Sequence, residues 1–129
     1  VATMLASATG ATVGISWVID GGGSTITTGV KYGVRIPFAC TITAWSIGLD
    51  QSGSIVIDIW ADSAANYPPT VADTITAAAK PTVSTATHNE SSTLTAWTTS
   101  IAAGTWLYFN VDSVTTATWA NIILTCTKT

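Results

Sequence analysis

The sequence predicts an all-β domain, and three observations carry the prediction. Apolar residues recur with a period of two along nearly every segment. Thr, which joins a β-branched stem to a hydroxyl, supplies the polar cover that Lys and Glu usually provide. Turn signals rich in Gly, Asp and Pro separate the alternating runs. Aliphatic and aromatic residues make up 47% of the chain and charged residues only 9%, so solubility has to come from hydroxyls and amides. At 129 residues the chain can bury a core of its own, and 1–129 reads as one domain. The architecture expected is a two-sheet antiparallel β-sandwich with Greek-key or jelly-roll topology.

The elements follow in order. Val13, Ile15, Trp17 and Ile19 share one face of a first strand, which Asp20-Gly21-Gly22-Gly23 ends because glycines tolerate the backbone of a tight turn. A second strand runs from Val30 to Ile36 with Val30, Tyr32, Val34 and Ile36 inward and Lys31 and Arg35 outward, and Pro37 closes its ladder. From Phe38 to Leu49 the inward register starts as Cys40 and Ile42 and ends as Trp45, Ile47 and Leu49. That one-residue slip near Ala44 predicts a β-bulge. Asp50-Gln51-Ser52-Gly53 reads as a hairpin turn into Ser54–Trp60, where Ile55, Ile57 and Ile59 share a face.

Between Ala61 and Ser92 the alternation weakens. Tyr67-Pro68-Pro69-Thr70 and Lys80-Pro81 keep the chain out of a central ladder, which predicts a long crossing connection with one helical turn near Val71–Asp73 and a short edge strand. Leu94–Thr98 reads as a short strand, Trp106–Val111 as a longer one with Leu107, Phe109 and Val111 inward, and Trp119–Thr127 as the last, with Ile122, Leu124 and Cys126 inward.

Composition also bounds the partners. A net charge of −3 with no Lys/Arg cluster lacks the electrostatic footprint of nucleic-acid binding. No apolar run approaches the length that spans a bilayer. Val1–Gly10 has no basic region ahead of an apolar stretch and reads as neither signal peptide nor anchor, while a first residue of Val is expected of a processed chain or a part of a longer one. Cys40 and Cys126 sit in alternating strands outside any CxxC or ligand-spaced set. They read as buried free thiols, with a bridge between them as the alternative.

Few residues can carry chemistry. The single histidine, His88, lies in the polar stretch Thr87–Ser92 and reads as a solvated loop residue. Gly21–Gly23 has neither the GxGxxG pattern nor a following helix to cradle a phosphate. The aspartates fall near loops without the spaced pattern of a calcium site, so turn chemistry is their reading; no metal and no cofactor is expected. Asp58 is set apart by lying mid-strand, where Lys31 or Arg35 is its expected cross-strand partner. Of the six tryptophans, Trp17 and Trp45 fall on the inward register, whereas Trp60, Trp97, Trp106 and Trp119 fall on outward or strand-end positions. An outward Trp needs a use: a subunit interface, a covering loop, or stacking on a sugar ring. Trp60, Trp97, Trp106 and Trp119, with Asp58 and Asp62, are therefore the candidate ligand or interface residues, and no catalytic residue is expected.

The runs Trp17–Gly23, Thr27–Val30 and Ile36–Ile42 resemble a domain that recurs in virion structural proteins of tailed bacteriophages. The likeness continues through Asp50–Trp60, Tyr67–Thr70 and Phe109–Ser113 and covers most of the chain. It implies a non-enzymatic β-domain of the virion exterior, on a tail fibre or spike or as a head decoration. The implied partners are two further copies in a homotrimer, other virion proteins and host-surface polysaccharide, and the resemblance carries no catalytic residues. Trp97, Trp106 and Trp119 stand where relatives would carry more polar residues, which points to a surface particular to this chain. Two other classes compete. One is a carbohydrate-binding module of a secreted glycoside hydrolase, which requires an open row of Trp beside Asp or Asn. The other is an enzyme using Asp58 and Asp62 as a glycosidase pair.

Overall fold

A computed structural model describes residues 9–129. The readings of the N-terminus that rest on residues 1–8 lie outside the described residues. The described residues form seven strands: β1 (Thr12–Asp20), β2 (Gly29–Ile36), β3 (Cys40–Asp62), β4 (Thr82–Ser91), β5 (Ser100–Ile101), β6 (Thr105–Thr115) and β7 (Trp119–Lys128). Two short 3₁₀ turns, Ala64–Asn66 and Val71–Asp73, interrupt the connection from β3 to β4. Among the described residues no helix is long and apolar enough to cross a membrane.

The all-β class is as predicted, but the strands belong to one curled antiparallel sheet, a half-barrel, with the order β1-β7-β3-β6-β2 and with β4 and β5 on the other edge of β3. Its spine is a long two-stranded ribbon. The C-terminal half of β3 pairs with β6 from Asp62↔Trp106 to Ser54↔Thr115. Its N-terminal half pairs with β7 from Leu49↔Ala120 to Cys40↔Lys128, in almost the same register. An extended strand of 23 residues would reach about 76 Å, longer than a domain of this size can accommodate, so the ribbon folds in half. β1 adds to the β7 half and β2 to the β6 half, and the halves meet face to face where Trp17 of β1 stacks on Phe109 of β6 at 6.1 Å. The Trp17 indole N–H also donates to the Lys31 carbonyl at 2.9 Å, tying the two edge strands together.

The fold point lies where a hairpin turn was expected. Asp50–Gly53 does not reverse the chain; β3 runs through it. The Asp50 carboxylate is engaged by a neighbour instead, accepting from the backbone N–H groups of Thr118 and Trp119 and from the Thr118 hydroxyl. It thereby holds the chain between β6 and β7 and is kept below the ordinary carboxylate pKa by those donors. Gly53 permits the close approach of that segment, since a Cβ there would lie 2.5 Å from the Thr115 carbonyl oxygen. The acidic and glycine signals are real, yet they serve a bend shared by two strands. This is also why the expected separation into two sheets gives way to continuous hydrogen bonding: β3 and β4 pair with each other on both sides of the bend.

Other differences are local. The slip near Ala44 is present as a register shift between Ile42 and Ala44, and the turn at Val71–Asp73 is present with a Thr70/Asp73 capping box. In β2 a second bulge, between Val30 and Gly33, turns Val30 and Tyr32 outward, so that only Val34 and Ile36 of the expected inward set meet the core. Leu94–Thr98 is a loop, with Ala96 in the left-handed region at φ 62°. The expected short edge strand is ten residues long, and it takes in His88, opposite Gly48. The core is filled chiefly by Ile, Leu, Val and Phe from alternate positions of β1, β3, β6 and β7.

Cys40 and Cys126 are free and buried in this core. Burial, with Cys40 alongside, pushes the Cys126 thiol up to about 12, and burial likewise raises Cys40. Thiolate is the reactive form, so a disulfide reagent at neutral pH should label neither thiol in the native protein within the time that labels both in denaturant. Rapid native labelling would contradict this packing.

Candidate functional site

The outward face of the β2-β6-β3 half gathers the aromatic side chains that the core leaves over. In the β3–β6 ladder Asp58 stands opposite Asn110, Trp60 opposite Tyr108 and Asp62 opposite Trp106, all on the side facing away from Ile57, Ile59, Leu107 and Phe109. β2 contributes Tyr32 from its bulge, where φ is 61°. The long connection contributes Tyr67, which follows the Ala64–Asn66 turn and precedes Pro68 through a cis peptide bond.

These rings form one connected array. Tyr67 lies edge-on to Trp106 at 4.9 Å and to Tyr108 at 5.8 Å, and Tyr32 lies edge-on to Tyr108 at 5.7 Å. The Tyr67 and Tyr108 hydroxyls share a hydrogen bond of 2.5 Å. That bond, together with burial, pushes the Tyr108 phenol up to about 12. Tyr32 is 65% exposed and Tyr67 48%, whereas Tyr108 and Trp60 beneath them are nearly buried. The array is thus a raised aromatic surface on a fixed base.

Asp58 belongs to that base. It is 2% exposed and accepts from Trp60 Nε1 at 3.0 Å, Thr74 Oγ1 at 2.6 Å and Thr76 Oγ1 at 2.7 Å, with Lys80 Nζ at 3.9 Å. Burial alone would raise its pKa, but the hydrogen bonds from Thr74, Thr76 and Trp60 and the Lys80 charge outweigh it and hold the carboxylate ionised. The expected partners Lys31 and Arg35 are therefore replaced by Lys80. The reason is topological: residues 74–81 run along the free edge of β3, with Ile75 N–H on the Ile59 carbonyl and Ile57 N–H on the Pro81 carbonyl. Lys80 continues to Asp112 at 2.6 Å, and Asn110 donates to the same carboxylate. Asp62 accepts from Ser63 N–H at 2.7 Å and from Asn66, and those donors lower its pKa.

Of the residues singled out in the sequence, the structure brings together Trp60, Trp106, Asp58 and Asp62. It sets the other two apart. Trp97, expected outward, is buried at the loop before β5 and its indole donates to the Ala79 carbonyl at 2.8 Å. Trp60, also expected outward, is spent on Asp58. Trp119 is 38% exposed but lies on the other half of the sheet, opposite Asp20 of β1. The tyrosines were missed. Tyr108 was legible, since it alternates with inward Leu107 and Phe109; Tyr32 and Tyr67 depend on a bulge and a loop. Turn chemistry accounts for Asp20, whose carboxylate accepts from Gly22 N–H, and for Asp73, which accepts from Thr70 N–H. Among the described residues no three His, Cys, Asp or Glu side chains are grouped to hold a metal ion.

Aromatic rings half exposed over a rigid base, with carboxylate, amide and hydroxyl groups around them, can stack on the CH faces of a ligand while polar neighbours orient its hydroxyls. No family model and no curated protein matches the sequence. Among solved structures, the SPBc2 prophage-derived protein YomS, known from a crystal structure, is similar with a TM-score of 0.34 at 11% identity, over 89% of this chain and 95% of that one.

Proposed function

We propose that the chain is a non-enzymatic β-domain of a bacteriophage virion exterior, a tail fibre, spike or head decoration, that attaches to host-surface polysaccharide through the Tyr32–Tyr67–Trp106–Tyr108 face. The observation that carries the binding reading is the exposure of Tyr67 and Tyr32 above a base locked by Asp58. Solvated aromatic rings cost hydration free energy unless a ligand covers them. The virion assignment rests on the sequence likeness of Trp17–Gly23, Asp50–Trp60 and Phe109–Ser113, and assembly as a homotrimer with other virion proteins rests on the same likeness.

Support for binding without turnover comes from the carboxylates. Asp58 and Asp62 are four residues apart on one strand, about 13 Å between their Cα atoms, and Asp58 is closed off from solvent with its oxygens taken by Trp60, Thr74 and Thr76, so it has no free face to offer a glycosidic bond as a glycosidase pair must. A carbohydrate-binding module of a secreted hydrolase is the second reading, favoured by the same open aromatic face.

A glycan array with wild-type protein, Tyr67→Ala and Trp106→Ala tests the binding. Saturable binding should fall more than about tenfold in each variant, and equal binding by all three would refute the face. Light scattering separates the two settings: a mass of three chains is expected, and a clean monomer would favour the hydrolase module.

A further inference from the structure

The ladder places one more chemically distinct group on the aromatic face. Arg35 of β2 stands opposite Trp106 of β6, and Trp106 stands opposite Asp62 of β3, so the three form one row across three strands. Directly opposed residues share a side of the sheet. Val34 and Ile36, which flank Arg35, pack on the core, and the alternation sends Arg35 outward with Trp106. Its guanidinium lies beside Gly104, two residues before Trp106, where an added Cβ would come 3.4 Å from a terminal nitrogen. Arg35 is exposed, and among the described residues it forms no ion pair. The reason lies in the base of the site: Lys80 has taken Asp58 and Asp112, and Asp62 spends its carboxylate on Ser63 N–H and Asn66, two strands and about 10 Å away. A positive charge is thus left over at the edge of the rings.

Resting on the carbohydrate reading above, we propose that Arg35 makes this face selective for an acidic glycan: the carboxylate of a uronic acid residue pairs with the guanidinium while sugar rings stack on Trp106 and Tyr67. The planar guanidinium presents two parallel N–H donors that match the two oxygens of a carboxylate. A uronic acid carries that group at the rim of its ring, so a ring lying against Trp106 extends it sideways, toward the strand that bears Arg35. Asp62, at the other end of the row, repels the same group. The row therefore sets the direction of the ligand, with its acidic rim toward β2 and its hydroxyl rim toward β3. The net charge of −3 on the whole chain opposes a polyanion at long range, which leaves the preference to the local pair.

The experiment measures binding of a panel of uronate-containing oligosaccharides, each beside its carboxyl-reduced form, in which a primary alcohol replaces the carboxylate and the linkages are kept. The proteins are wild type, Arg35→Gln, Arg35→Lys and Tyr67→Ala, each checked for folding by circular dichroism. Wild type should bind the acidic form about tenfold more tightly than the reduced one. Arg35→Gln should bring the two forms to within about threefold, and Arg35→Lys, which keeps the charge but not the fork, should fall between. Tyr67→Ala should weaken both forms. If wild type binds the two forms alike or prefers the reduced one, or if Arg35→Gln keeps the full preference, while Tyr67→Ala weakens both, the acidic selectivity is overturned and the aromatic face stands. If Tyr67→Ala binds as wild type does, or neither form of any oligosaccharide binds wild type, the carbohydrate reading itself fails.

Discussion

Replacing Asp58 by Ala is expected to cost about 3–5 kcal/mol of folding stability, a fall of roughly 10–20 °C in Tm for a domain of this size. The carboxylate serves three donors at once, from Trp60, Thr74 and Thr76, and Ala leaves the buried Trp60 indole and Thr76 hydroxyl without their acceptor, while the exposed Thr74 can turn to water. Lys80 keeps Asp112, so its loss is the smaller part. Asp58→Asn keeps the volume but turns an amide N–H₂ toward groups that also donate, so it should recover only part of the loss. Acidity should act in the same sense. The folded pKa of Asp58 is depressed, so its contribution is fully present above the unfolded value, near about 3.9. It is lost as the pH falls through the folded one. Urea midpoints for wild type should therefore hold steady down to about pH 5 and fall below about pH 4, with a shallower fall in Asp58→Asn. An Ala variant within about 1 kcal/mol of wild type would remove Asp58 from its place as the anchor of the aromatic base.

Gly33→Val should be more damaging still. A Cβ at Gly33 would stand 1.7 Å from the Leu107 carbonyl oxygen and 2.7 Å from its carbon. Both are backbone atoms of the neighbouring strand and cannot step aside without parting β2 from β6. The expected cost exceeds about 4 kcal/mol, seen as loss of the cooperative unfolding transition or of soluble protein. Gly48→Ala is the control. Nothing lies within 4 Å of its added Cβ, so its stability should be unchanged or slightly raised. A stable Gly33→Val protein with wild-type spectra would contradict the close pairing of β2 with β6.

The two variants also mark what the sequence could and could not convey. Period-two alternation made β1, β6 and β7 legible with their inward residues, and even the bulge near Ala44 showed as a slip in register. Alternation says nothing about what a strand pairs with. Asp50–Gly53 carries the composition of a hairpin turn, and only the nearby Thr118 and Trp119 N–H groups make it a bend within one continuous strand. Tyr32 was misassigned because the bulge that rotates it is set by the approach of Leu107 to Gly33, a contact across 74 residues of chain. For the site, the sequence gathered outward aromatic residues on the later strands, two of which, Trp60 and Trp106, stand on one face. It could not supply Tyr67, which reaches that face from an irregular loop, nor separate Trp97, whose indole N–H found a carbonyl in the loop before β4.

The central claim, that the aromatic face is where a glycan sits, is tested most directly by following the six tryptophan indole N–H resonances while a bound oligosaccharide is titrated in. The Trp106 signal should shift progressively and saturate. Those of Trp17 and Trp97, held by the Lys31 and Ala79 carbonyls, and that of Trp119 on the other half of the sheet should stay in place. A titration that moves Trp119 and leaves Trp106 unchanged would put the ligand elsewhere and contradict the account.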